Sequence, residues 1–156
     1  MSGKAVSASG WQKGPKGQFF ANWRILDKKD QVVSSLSVVV QISPSIAGPH
    51  FRHIRIGMSP TVFVGEGTLT LGLKLRRDKK EKKIQVKAFY DEGSEHGLVS
   101  PTTIESAMLC ISIFEKVDDF TITLYTESGK KLGTWTLPNE DNNFLKLEKI
   151  SLEEIS

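Results

Sequence analysis

The sequence predicts a mainly β, single-domain protein, an antiparallel sandwich or barrel with at most one or two short helices. Three observations predict it. Apolar side chains alternate with polar ones over short runs, as in half-buried strands. Turn-forming clusters separate these runs at short intervals, as in sandwiches and barrels. At 156 residues the chain has the usual size of one domain, large enough to bury a core without disulfide or metal staples.

The elements follow in order. Residues 1–17 contain four Gly, three Lys and one Pro, with Val6 and Trp11 the only large apolar side chains after Met1, and are expected to form a flexible basic tail. A β-rich globular domain is expected over 18–138. It opens with Phe19, Ala21, Trp23 and Ile25 on one strand face; Asp27–Asp30 form a turn, and Leu36, Val38, Val40 and Ile42 return as a hairpin. Pro44, Gly48 and Pro49 break the pattern before two short strand candidates at 53–58 and 61–64. Leu69, Leu71, Leu73 and Leu75 pair with Ile84, Val86, Ala88 and Tyr90 in a second hairpin whose tip is basic. Residues 91–103 read as a long polar loop. Ala107, Leu109, Ile111 and Ile113 read as a strand, returned by Phe120, Ile122 and Leu124 and followed by a strand from Leu132 to Leu137. Residues 139–156 form a C-terminal tail, either a short helix through Phe144, Leu147 and Ile150 or an edge strand.

Composition narrows the function. Mean hydropathy is −0.22, and the apolar runs are only a few residues long, well short of the roughly 20 needed to span a bilayer. The N-terminus lacks the apolar centre of a secretory signal, so the protein is expected to be cytoplasmic rather than secreted. Cys110 is the only cysteine, which excludes an intrachain disulfide, and its apolar surroundings predict a buried, inert thiol. The net charge of +3 conceals a division: residues 1–90 hold 16 Lys and Arg against 5 Asp and Glu, whereas 91–156 hold 5 against 13. Such asymmetry suits a basic face toward an anionic partner and also head-to-tail association of copies; interleaving of the halves would cancel it.

No catalytic constellation emerges, and the protein is expected not to be an enzyme. His50, His53 and His96 lack the partners of a zinc site, no G-x-S-x-G elbow is present, and the acidic run at 91–95 lacks calcium-loop spacing. The three glycines at 65–72 are followed by alternating leucines rather than by the helix a phosphate loop opens. No metal or cofactor is expected. The densest feature is the turn Arg76, Arg77, Lys79, Lys80, Lys82 and Lys83, with six cations in eight residues. Cations so spaced suit phosphates of nucleic acid or lipid headgroups; the alternative is a solvated hairpin tip whose charge deters edge pairing. Lys13 and Lys16, beside Trp11, Phe19 and Phe20, extend the candidate anion surface or lay an aromatic on a partner.

Several segments resemble, in order, the matrix proteins of rhabdoviruses: the basic N-terminus, the FF-containing strand at 19–25, HIRIGM at 53–58, IQVKAFYDEGS at 84–94 and ESAMLCISIFEK at 105–116. A PPxY-type motif is lacking, and the alternating run at 36–42 stands where the animal-virus members place a helix. The resemblance implies a structural protein of the virion and host cytoplasm that self-associates as a homo-oligomer and contacts the nucleocapsid or an anionic membrane. In such an assembly the acidic Asp118, Asp119, Glu140 and Asp141 would meet the basic part of a neighbour. The alternative is a β-barrel that binds single-stranded nucleic acid, with a groove of cations and exposed aromatics such as Trp11, Phe63 or Phe89.

Overall fold

A computed structural model of the chain describes residues 4–46, 50–91, 93, 95–140 and 142–156. Its strands are β1 (Lys4–Lys13), β2 (Gln18–Leu26), β3 (Val32–Ser43), β4 (Phe51–Ser59), β5 (Gly67–Leu75), β6 (Lys82–Asp91), β7 (His96–Pro101), β8 (Phe120–Thr126) and β9 (Lys131–Leu137). Helix α1 (Ile104–Phe114) links β7 to β8, and α2 (Phe144–Ile155) follows β9. The strands form one antiparallel sheet in the order β1-β2-β3-β4-β7-β6-β5-β8-β9, curled into a half-barrel. The expected mainly β, antiparallel, single-domain architecture is therefore present, as one curled sheet rather than two stacked ones.

Alternation dictates which side of the sheet is dry. The β2–β3 register sets Phe19 opposite Val40, Ala21 opposite Val38 and Trp23 opposite Leu36, and all six are buried. The turn between them is set by Asp27, whose carboxylate accepts the backbone N–H groups of Lys29 and Gln31 at 2.8 and 3.0 Å. On β5 and β6, Leu71 faces Ile84 and Leu69 faces Val86 across the same concave side. Burying each such side chain contributes roughly 1.5–3 kcal/mol. Both helices cover the concave side: Phe114 of α1 lies against Trp11 and Phe120, and Phe144 of α2 against Trp11 and Phe19, with ring centres 4.8–6.0 Å apart. No helix is long and apolar enough to cross a membrane among the described residues.

Five expectations need correction. Residues 4–13 are not a flexible tail but an edge strand paired with β2, and Trp11, 2% exposed, anchors it in the core. The globular domain thus extends beyond 18–138 at both ends, because α2 packs on β1, β2 and β3; of the two forms expected for the tail, the helix is present. The segment expected as a strand through Ala107 and Ile113 is instead helix α1, Ile104–Phe114. Ala107, Cys110, Ile111 and Phe114 make a buried stripe at helical spacing, and Thr103 caps it, its Oγ1 accepting the Ser106 N–H at 3.0 Å. The presumed loop at 91–103 contains β7, whose inward positions are Gly97 and Val99. Residues 61–64 are loop rather than strand: Thr61 Oγ1 accepts the Phe63 N–H, and Phe63 folds beneath β7. A Cβ on Gly97 would meet the Phe63 ring at 2.9 Å, so glycine permits this approach.

The two edges of the curl are fastened through the segment after β9. Trp23 Nε1 donates to the Pro138 carbonyl at 2.9 Å, and Trp11 Nε1 to Asn139 Oδ1 at 3.0 Å. Asn139 Nδ2 donates in turn to the carbonyls of Phe114 and Lys116, both at 3.0 Å. One buried amide thereby ties β1 to the end of α1.

Candidate nucleic-acid interface

The β5–β6 hairpin carries the basic turn to the edge of the convex side, where its cations divide into two groups. Arg76 and Arg77 are neutralised within the chain. Arg77 donates to Asp118 through its backbone N–H and its Nε, both at 3.1 Å, while Arg76 reaches Asp118 at 3.4 Å, Asp119 at 3.6 Å and Glu140 at 3.9 Å. Burial of the Asp118 carboxyl, which alone would raise its pKa, is outweighed by the Arg77 hydrogen bonds and the two guanidinium charges, and the pKa is lowered. The acidic residues expected to meet a neighbouring copy therefore meet this chain's own arginines; Asp141 lies outside the described residues. Asp118 is a structural clamp between the hairpin base and the α1–β8 connection.

Lys79, Lys80, Lys82 and Lys83 form the second group. All four are exposed, and none makes an ion pair among the described residues. The one carboxylate between them, Glu81, turns back to accept the Tyr125 hydroxyl at 2.8 and 3.0 Å. Burial, and then Glu81, raise the Tyr125 pKa. Lys83 Nζ sits 4.6 Å over the Tyr125 ring. The positive charge continues along the outward side of β6 to Lys87 and across the sheet to Arg55 on β4, both exposed.

Beside Lys87 the convex side is dented. Asn22, Ser37, Gly57, Leu98 and Phe89 stand in one row across β2, β3, β4, β7 and β6. Gly57 contributes no side chain to that row and forms the floor of an open cavity of about 450 Å³, lined also by Ser35, Ser59 and His96. Phe89 is an exposed aromatic at its wall, with Lys87 Nζ 5.2 Å from the ring centre. Of the three aromatics considered for a binding groove, Phe89 alone is on this surface; Trp11 and Phe63 are core residues.

Lys13 and Lys16 are separated from this region. Lys13 Nζ donates to the carbonyls of Gly14, Pro15 and Gln18 at 2.8–3.1 Å and pairs with Glu154 at 2.7 Å, closing the β1–β2 turn against α2. The Lys13 hydrogen bond, and then the Gly17 N–H, lower the Glu154 pKa. Lys16 is exposed in that turn.

A second cavity, of about 540 Å³, lies between the start of β4, the end of β7 and the start of α1 and is lined by Phe51, Ile54, Ile104 and Met108 with His50, Arg52 and His53. Arg52 is held by Glu148 at 3.0 Å, and His50 Nδ1 accepts the Ser45 N–H at 3.3 Å. Among the described residues no Asp or Glu joins the histidines in its lining. Among the described residues no group of three or more His, Cys, Asp or Glu is placed to hold a metal ion. Cys110 is buried, and desolvation pushes its thiol up to about 12. Comparison of the chain with protein-family models, curated proteins and solved structures found no match.

Proposed function

We propose that this protein is a non-catalytic structural protein that holds single-stranded RNA, free or in a nucleocapsid, against the basic β5–β6 tip and the convex side of its sheet, in the manner implied by the resemblance to rhabdovirus matrix proteins. One observation carries the proposal: four exposed lysines at the β5–β6 tip have no carboxylate partner among the described residues, while the neighbouring arginines are neutralised internally. A solvated tip whose charge merely deters edge pairing needs no such segregation. Since Asp118, Asp119 and Glu140 are engaged within the chain, self-association follows from several copies sharing one RNA strand.

The test is fluorescence anisotropy of a labelled uridine 12-mer across a salt series, with the wild type and a variant carrying K79E, K80E, K82E and K83E. Each phosphate contact contributes about −0.7 to the slope of log K against log salt for single strands. Loss of four contacts therefore flattens the slope by about 3. Equal affinity and slope for the two proteins would refute the proposal, and binding to anionic liposomes but not RNA would replace it with membrane contact.

A further inference from the structure

We propose that the dent over Gly57 is a base-binding subsite, in which one nucleobase of the bound strand stacks on Phe89; this rests on the RNA reading of the tip and names where the bases go. The β5–β6 tip supplies phosphate contacts and carries no exposed aromatic, so by itself it does not distinguish nucleic acid from any other polyanion. The dent supplies what the tip lacks. Phe89 is 36% exposed, and bases stack on such rings irrespective of sequence.

Three further features select a base over other occupants. Gly57 leaves the row open between Ser37 and Leu98, and a Cβ there would stand 3.0 Å from Ser37 Oγ, so the depth of the dent depends on the missing side chain. Around the floor stand Asn22, Ser35, Ser37 and Ser59, which offer donors and acceptors to the edge of a planar heterocycle but would be desolvated without compensation beneath a lipid chain. Among the described residues no Asp or Glu lines the cavity, whereas Lys87 lies against the Phe89 ring, so a cation for the adjoining phosphate stands beside the stacking surface. Lys83, Lys87 and Phe89 point to the same side of β6, and the six-residue interval from Lys83 to Phe89 spans about 20 Å. A strand entering at the tip thus runs along β6 and arrives at the dent with its phosphates on lysines.

The experiment compares a uridine 12-mer with an abasic 12-mer of the same phosphate number, for the wild type, Phe89→Ala, Phe89→Trp and Gly57→Val. The wild type is expected to prefer the uridine strand about tenfold, equivalent to about 1.4 kcal/mol. Phe89→Ala and Gly57→Val each abolish that preference while leaving abasic affinity and salt slope unchanged; Phe89→Trp retains it. Because Phe89 and Gly57 are on the sheet surface by different routes, one through its ring and one through an absent side chain, a folding defect in either variant leaves the other as the test. Equal wild-type affinity for the two strands, or undiminished preference in Phe89→Ala and Gly57→Val, overturns the subsite and leaves the lysine tip standing. Binding of neither strand overturns the tip reading and the subsite with it.

Discussion

Replacing Asn139 by Ala removes the amide that joins β1, α1 and the end of β9. Its consequences are unequal for the three groups it touches. The Phe114 and Lys116 carbonyls also accept from Asn142 Nδ2, both at 2.8 Å, and remain satisfied. Trp11 Nε1 has Asn139 Oδ1 as its partner in a buried position and is orphaned. An unsatisfied buried donor costs about 1–3 kcal/mol, and loss of packing at a 5% exposed side chain adds to it. The expected destabilisation is about 2–4 kcal/mol, or roughly 5–15 °C in Tm for a domain of this size. Asn142→Ala removes the duplicate bonds and the acceptor of the Phe144 N–H at the start of α2, costing about 1–2 kcal/mol. The double variant leaves both carbonyls bare and should exceed the sum of the single changes by at least about 0.5 kcal/mol. Urea unfolding of the four proteins measures the cycle. A loss under about 0.5 kcal/mol for Asn139→Ala, or strict additivity, would refute the fastening role.

Three further outcomes are expected. The Asp118 pKa is lower in the folded than in the unfolded chain, so the stability it contributes is present above the ordinary carboxylate value of about 3.9 and is lost as pH falls through the folded value. Asp118→Asn removes the charge that Arg77 meets with two hydrogen bonds and should cost about 2 kcal/mol at neutral pH, with its urea midpoint converging on the wild type's in acid. Glu81→Gln should bring the Tyr125 pKa down toward its ordinary value, seen by phenolate absorbance, and tighten oligonucleotide binding about two- to threefold by removing the carboxylate between Lys80 and Lys82. Ser151 Oγ of α2 is buried with no hydrogen-bond partner among the described residues, so Ser151→Ala should raise stability by about 1 kcal/mol, read from the denaturation midpoint.

The parts of the fold that were legible in the sequence are those where local chemistry and tertiary burial agree. The β2–β3, β5–β6 and β8–β9 hairpins each have alternating apolar residues on both arms and a polar turn between them. Helix α1 was misread because Ala107, Leu109, Ile111 and Ile113 satisfy a period of two, while its buried stripe through Cys110 and Phe114 satisfies 3.6. Thr103, capping the helix after Pro101, was the signal that separates them. Strands β1 and β7 are not legible for another reason: among the described side chains few inward anchors mark them, Trp11 in β1 and Val99 in β7. The lysine tip was visible as a charge run, but its separation from Arg76 and Arg77 depends on Asp118, 41 residues away from Arg77 in the chain. Gly57 and Phe89 become neighbours only through the β4–β7–β6 order, which no local pattern encodes.

The central claim, that the convex side along β6 is the nucleic-acid surface, is tested most directly by following backbone amide resonances while a uridine 12-mer is added. Shifts concentrated at Lys79–Lys83, along β6 to Phe89, and around Arg55 and Gly57 are the predicted result. Shifts confined to the cavity between β4 and α1, around His50, Ile104 and Met108, or no shifts at saturating oligonucleotide, would contradict it.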